Sequence, residues 1–197
     1  MVNEEKPDYA LAAQGLDEVA KCIAEFHAKM QFETHSLYDE EVNDEVRSAV
    51  NHDLLKAKVA ISHWANKLQS LVKFSVRGTR GHLCCEELSE LLRGLLEQNE
   101  ELTLDGAIDL LYVTIGTLVA LGLPVGEAFM EVHLSNMSKE KQITDPYANR
   151  VRDKGPNYRA PDLAGVLERW HLIRDQALPT KALESSAASS SAGDVEP

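Results

Sequence analysis

The sequence is short of cysteine. Cys22 and the adjacent pair Cys84 and Cys85 are all it has, an odd count without C-x-x-C spacing. That excludes a disulfide framework and a zinc knuckle and fits a reducing compartment. Positive charge is short as well: 20 Lys and Arg face 32 Asp and Glu, a net charge of −12 with a pI near 5.0. A surface that wraps duplex nucleic acid or sits on anionic lipid wants clustered cations, so neither partner is expected. A phosphate-bearing ligand held through a metal is not excluded by that balance. Long apolar runs are missing too. The longest, Ala107 to Leu123, is interrupted by Asp109, Gly116 and Gly122 and falls short of the roughly 20 apolar residues of a membrane span. Met1 to Asp8 is acidic where a signal peptide is basic and then apolar. These absences predict a soluble cytoplasmic protein. At 197 residues it is long enough for a hydrophobic core without covalent staples.

No alternating strand pattern or internal repeat is found, and helical spacing runs nearly throughout. Ala10 to Met30 reads as a first helix, with Leu16, Val19, Ile23, Phe26 and Met30 on one face after the start signal Pro7-Asp8. Ser36 to Phe74 opens with acids and continues through Leu54, Leu55, Val59, Trp64, Leu68 and Leu71 as one long or broken helix. Gly78 and Gly81 punctuate its far end. Further helices are expected over His82 to Gln98, Thr103 to Leu121 and Gly126 to Ser138, with Gly122-Leu123-Pro124 as a stop and restart between the last two. Irregular chain covers Thr144 to Pro161, and a short helix from Asp162 to about Asp175 closes the fold. The Ser- and Ala-rich stretch from 178 to 197 reads as a disordered tail. The expected architecture is an all-α helical bundle over residues 1–177 followed by that tail.

Two helices carry the chemistry. On the third, Cys84, Leu88, Leu91, Leu92, Leu95 and Leu96 form a broad apolar face, and Glu86, Glu87 and Glu90 a narrow arc on the opposite side. Such an arc is ordinarily a solvated face. The fourth helix shifts the balance, because Ala107, Ile108, Leu110, Leu111, Val113, Ile115, Leu118, Val119 and Leu121 cover every direction and place it inside the bundle. Asp109 then has no exposed face, and a buried carboxylate costs several kcal/mol unless it is paired or binds a cation. Asp105, Tyr112, Gly116 and Ala120 lie on its side of the helix, leaving room for something to dock. The alternative is a single Asp satisfied by Arg77, Arg80 or Arg93. Facing carboxylates suit a hard cation such as Mg²⁺ (or Mn²⁺), which keeps positions for substrate phosphates. A di-iron bundle wants Glu-x-x-His on two helices, and only Glu168 and His171 show that spacing.

Taken together, Glu25-Phe26-His27, Glu86-Glu87-Leu88-Ser89-Glu90, Asp109-Leu110-Leu111-Tyr112-Val113-Thr114, Glu131 to Lys139, Lys154-Gly155-Pro156-Asn157-Tyr158 and Pro161-Asp162-Leu163 resemble the all-α nucleoside triphosphate pyrophosphohydrolases. The likeness is strongest to the MazG-like and phosphoribosyl-ATP pyrophosphohydrolase-like proteins of bacteria and phages. It covers about Ile23 to Leu167, with Glu40 to Val72 longer or more divergent than usual.

The resemblance implies a bundle whose E-E-x-x-E helix and E-x-x-D helix bind Mg²⁺ through Glu86, Glu87, Glu90 and Asp109. The family's first acid of the second pair falls on Gly106. Asp105, one position earlier and within about 40° of Asp109 around the helix, either substitutes or the site runs with one ligand fewer. The implied reaction is attack of water on the α-phosphorus of a (deoxy)nucleoside triphosphate, with Glu87 or Glu86 as general base. The resemblance implies phosphate and sugar contacts for Asn136 and Lys139; Arg80 and Arg77, beside glycines, are secondary phosphate candidates, and Tyr112 and Tyr158 are further candidate substrate contacts, Tyr158 for a base pocket with the first two helices. Substrates of this kind include dGTP, dUTP or a modified nucleotide, ahead of phosphoribosyl-ATP, and the expected assembly is a homodimer or homotetramer in bacterial or, for a phage protein, host cytoplasm. The competing reading is a non-catalytic helical binding protein in which Gly106 marks a lost site.

Overall fold

The computed structural model describes residues 9–30, 43–73, 75–140 and 154–189, with side chains from 14–30, 43–73, 75–140 and 154–176. These residues form six α-helices and no strand: α1 Tyr9–Met30, α2 Asp44–Gln69, α3 Val76–Glu97, α4 Glu100–Ala120, α5 Val125–Met137 and α6 Leu163–Ser189. The all-α expectation holds. The helix read over Ser36 to Phe74 is the shorter α2, since Asn43 caps it by accepting from the Val46 amide at 2.9 Å. The closing helix carries on past Asp175 to Ser189, so the stretch from 178 falls partly on α6, while 190–197, like 144–153, lie outside the described residues.

The helices group into two compact units, Thr34–Leu123 and Met1–Glu33 with Pro124–Pro197. In the first unit α3 is central. It packs on α2 and on α4, while α2 and α4 do not touch each other, so the three helices form an open layer. Gly78 and Gly81 do not end α2 as expected. Ser75 caps α3 by accepting from the Gly78 amide, and both glycines lie inside that helix. A Cβ on Gly78 would meet the Leu71 carbonyl oxygen at 3.1 Å, and one on Gly81 would meet Leu68 Cδ1 at 3.3 Å. Gly81 is a contact point against α2, and Gly78 against the turn that follows it.

Between α3 and α4 only Gln98 and Asn99 intervene. Gln98 takes a left-handed φ of 50° that stops α3, and Asn99 caps α4 by accepting from the Leu102 amide at 3.1 Å. So short a connection makes an antiparallel hairpin and forces close backbones. A Cβ on Gly94 would lie 2.5 Å from the Thr103 amide nitrogen, and one on Gly106 2.5 Å from that of Leu91. This register sets Glu87 opposite Asp109. Gly122, with φ 65°, ends α4 and Pro124 begins α5, as the Gly-Leu-Pro run predicts.

Two expectations about α4 are corrected. The helix is not interior: Leu104 is 66% exposed, Ile108 54%, Tyr112 78% and Val119 65%, and Asp109 is exposed as well. An edge position in a three-helix layer covers only one stripe of a helix that is apolar all round. The interruptions at Asp109 and Gly116 also do not disqualify it as an apolar span. It is the one helix among the described residues long and apolar enough to cross a membrane, with a mean hydropathy of 1.5 over its most apolar 18 residues.

In the other unit α5 packs on α1 and on α6. Met30 and Val166 are its fully buried apolar side chains. Lys29 donates to the Met137 carbonyl at the end of α5, where the helix dipole favours a cation. Arg169 of α6 pairs with Glu127 of α5 at 2.6 Å.

Candidate active site

Glu86, Glu87 and Glu90 on α3 and Asp105 and Asp109 on α4 share one stretch of the hairpin seam. Their proximity is recorded in Glu87. Its carboxyl is held above the ordinary glutamate value of 4.5, first by burial and then by the negative charges of Asp109, Glu90, Glu86 and Asp105, in that order. Glu87 is half-buried at the seam, so it does not belong to the solvated arc on which the helical wheel placed it. Glu86, Glu90, Asp105 and Asp109 are exposed. His82, mostly buried, sits between α2 and Glu86, its Nδ1 3.0 Å from the Ala65 carbonyl oxygen and its Nε2 3.5 Å from Glu86 Oε2. Ser62 and Ser89 hydrogen-bond at 2.6 Å one turn further on. These contacts fix the α3 face that carries the acids. His82 stands four residues before Glu86, a neighbour spacing on a helix, though the sequence reading did not single the pair out.

As donors the five carboxylates suit an oxygen-preferring divalent cation, and the raised Glu87 shows negative charge gathered without compensation. Among the described residues, no three His, Cys, Asp or Glu side chains already stand close enough to hold a cation. Gly106 provides no place for an acid, because its Cα faces the Leu91 backbone.

The sign of the Glu87 shift yields a test without nucleotide. Below the unfolded value both states are protonated and the site costs nothing. Stability is lost as the pH rises through the raised native value and the carboxyl must ionise among four other acids. In chelator, Glu87→Gln is expected to melt a few degrees higher than the parent near pH 7, the difference vanishing at about pH 4. Paired melting curves across that range measure it.

Asn136, Lys139 and Tyr158 belong to the unit of α1, α5 and α6. Lys139 Nζ donates to Asn136 Oδ1 at 2.7 Å, so these two do come together. Lys154 Nζ stands 4.8 Å over the Tyr158 ring. The later motif blocks are joined by a residue the sequence reading did not single out, Glu131 on α5. It accepts from the Asp162 amide at 2.9 Å and pairs with Arg159 at 3.2 Å, and Ser138 Oγ accepts from the Arg159 amide at 2.8 Å. Glu131, Ser138 and the Asp162 amide thereby tie α5 to the chain entering α6. His133 is 9% exposed, stacks on Phe129 and lies 4.0 Å from Glu25 of α1, a packing role. Tyr112 and Arg80 belong with the acids on the α3–α4 hairpin.

Neither the curated proteins nor the solved structures contain a match to this chain. A family model does match, that of phosphoribosyl-ATP pyrophosphohydrolase, over residues 16–136. The matched span takes in both acid-bearing helices and ends at Asn136, leaving Lys139 and Tyr158 outside. It covers more than half of the chain, and with an all-α fold that aligns carboxylates across one hairpin, the chain belongs to the phosphoribosyl-ATP pyrophosphohydrolase family, within the MazG-like all-α nucleoside triphosphate pyrophosphohydrolases.

Proposed function

We propose that the protein hydrolyses a (deoxy)nucleoside triphosphate to the monophosphate and pyrophosphate, adjusting or cleaning a nucleotide pool, with dGTP, dUTP or a modified nucleotide as substrate. The observation that carries this reading is the group of five acids around Glu87 on a hairpin of a pyrophosphohydrolase family. Glu86, Glu87, Glu90, Asp105 and Asp109 would hold Mg²⁺, or Mn²⁺ in its place. Such a cation, when bound, supplies neutralisation of the phosphate charge and acidification of water.

Glu87 is the proposed general base, because a carboxyl held above its ordinary value is the better proton acceptor. The water oxygen forms a bond to the α-phosphorus, and its proton passes to the Glu87 carboxylate. The bond from that phosphorus to the α,β-bridging oxygen breaks, and pyrophosphate leaves with the electron pair. Tyr112, on the same hairpin as the acids, is a proposed substrate contact.

The exposed apolar sides of α4 support a homodimer or homotetramer with this helix in the interface, since a soluble monomer rarely leaves so much large apolar side chain in water. Incubation with each common triphosphate and Mg²⁺ or Mn²⁺, following pyrophosphate, is expected to show turnover of at least one. Light scattering is expected to give an even number of chains. Absence of turnover with every nucleotide and metal would leave the binding-protein reading, for which Gly106 is the motivating residue.

A further inference from the structure

Both ring nitrogens of His82 face an acceptor. Nδ1 lies 3.0 Å from the Ala65 carbonyl oxygen. A carbonyl oxygen can only accept, so this nitrogen carries the N–H of the neutral ring and donates it to α2. The tautomer is thereby fixed, and Nε2 is left with its lone pair. That lone pair looks onto Glu86 Oε2, an acceptor again, at 3.5 Å. Two acceptors at such a range are held together only by something positive between them.

The separation of the two atoms tells what fits. A zinc-like ion bonds histidine nitrogen and carboxylate oxygen at about 2.0–2.2 Å, so two donors of its tetrahedral shell stand about 3.4 Å apart. The octahedral shell of Mg²⁺, with bonds of about 2.1 Å at right angles, brings its donors to about 3.0 Å. The 3.5 Å between Nε2 and Oε2 is the wider, tetrahedral edge. The donor types agree with it, because imidazole suits first-row transition ions and Mg²⁺ takes oxygen. A metal-binding histidine is ordinarily held by a hydrogen bond from its other nitrogen, and the bond to the Ala65 carbonyl is such a contact. The His82 side chain is 13% exposed and that of Glu86 48%. The ring is thus fixed in place, while its partner stays open to solvent and can admit an ion.

We propose that His82 Nε2 and Glu86 form an open two-ligand seat for a tetrahedral transition-metal ion of the Zn²⁺ or Co²⁺ kind, its shell completed by water. Two ligands are what the fold brings together, since among the described residues no three His, Cys, Asp or Glu side chains are grouped for a metal. The seat lies on the α2 side of α3, where His82 meets Ala65, and it shares only Glu86 with the carboxylates proposed for Mg²⁺. Neither nucleotide nor turnover enters the argument, so the seat does not depend on the triphosphate reading above.

Calorimetric titration of the full chain near neutral pH with Co²⁺, with Zn²⁺ and separately with Mg²⁺ tests it, beside the visible spectrum of bound Co²⁺. The parent is expected to show the intense bands of four-coordinate Co²⁺. His82→Asn keeps an amide N–H where Nδ1 stood, which preserves the bond to Ala65 and the melting temperature, but it has no atom at the Nε2 position. It is expected to weaken Co²⁺ and Zn²⁺ at least about tenfold, to lose those bands, and to leave Mg²⁺ within about twofold of the parent. Glu86→Gln is expected to weaken Co²⁺ by a similar factor, which covers the case of a His82 variant that does not fold. The three free thiols also take these ions, so dependence on His82 and Glu86, rather than binding as such, is the criterion. Co²⁺ bound equally by parent and His82→Asn, or bound by the parent with a six-coordinate spectrum, overturns the seat and leaves the two side chains as an ion pair. His82-dependent Co²⁺ bands without any pyrophosphate release keep the seat and remove the activity, whereas turnover with Co²⁺ binding indifferent to His82 does the reverse.

Discussion

Asp109→Asn is expected to lower pyrophosphate release at least about 100-fold, the upper end of what the loss of a mere supporting partner of a metal ligand costs, and to weaken Mn²⁺ binding in calorimetry. The same substitution is expected to raise the melting temperature of the metal-free protein near pH 7. Both effects follow from one position. Asp109 is the strongest of the charges that push the Glu87 carboxyl up, second only to burial. Removing its charge lets Glu87 ionise nearer its ordinary value, which recovers stability lost above that value. An inactive variant that is more stable than its parent cannot owe its inactivity to unfolding. Asp109 is also exposed, so the amide meets no desolvation cost that would mask the gain. Turnover within a few-fold of the parent would remove the α3–α4 acids from the reaction. A fall in melting temperature would show that Asp109 is held by a partner and is not repelled by its neighbours.

Local signals placed the helices well and their neighbours less well. The Gly122-Leu123-Pro124 restart is a chemical statement about a few adjacent residues, and the structure repeats it, whereas the Asn99 cap, which the sequence reading passed over, starts α4 three residues before the expected Thr103. Glycine is ambiguous at that scale. Gly78 and Gly81 look like a break in sequence, yet they lie inside α3, and their lack of a side chain lets that helix pass close to Leu71 and Leu68 at and just beyond the end of α2. Asp109 shows the same limit from the other side. A helix apolar in every direction predicts neighbours in every direction, but periodicity does not say which chain supplies them, and the α2–α3–α4 layer supplies one. The acids themselves were legible, since i, i+3 and i, i+4 spacing puts them on shared faces. What spacing missed is the half-burial of Glu87, which needs the register across the hairpin. Glu131 was passed over because its partners, Arg159 and the Asp162 amide, lie about thirty residues away.

Gly106 is where the family pattern and this chain part, and restoring the acid there is expected to break the hairpin rather than repair a site. A Cβ at 106 would stand 2.5 Å from the Leu91 nitrogen, 2.8 Å from its Cα and 3.0 Å from the Glu90 carbonyl carbon. All three are backbone atoms of α3, which cannot rotate away as a side-chain end does. Overpacking of this kind costs about 1–3 kcal/mol and more where the backbone must move, against a gain of about 1 kcal/mol in helix propensity for leaving glycine. Gly106→Ala is therefore expected to lose about 2 kcal/mol or more by denaturant titration, and Gly106→Glu more still, with no gain in Mn²⁺ affinity. Gly15 in α1 has nothing within 4 Å of its Cβ position, so Gly15→Ala is expected to be neutral or to gain up to about 1 kcal/mol, which fixes the baseline for an unhindered site. The comparison bears on function because the close approach at Gly106 is what sets the register that puts Asp109 opposite Glu87. With a side chain at 106, the helices would have to separate at the very station where the carboxylates meet. A Gly106→Glu protein that is as stable as the parent and binds Mn²⁺ more tightly would mean instead that α3 and α4 lie further apart there, and that the glycine is a missing ligand.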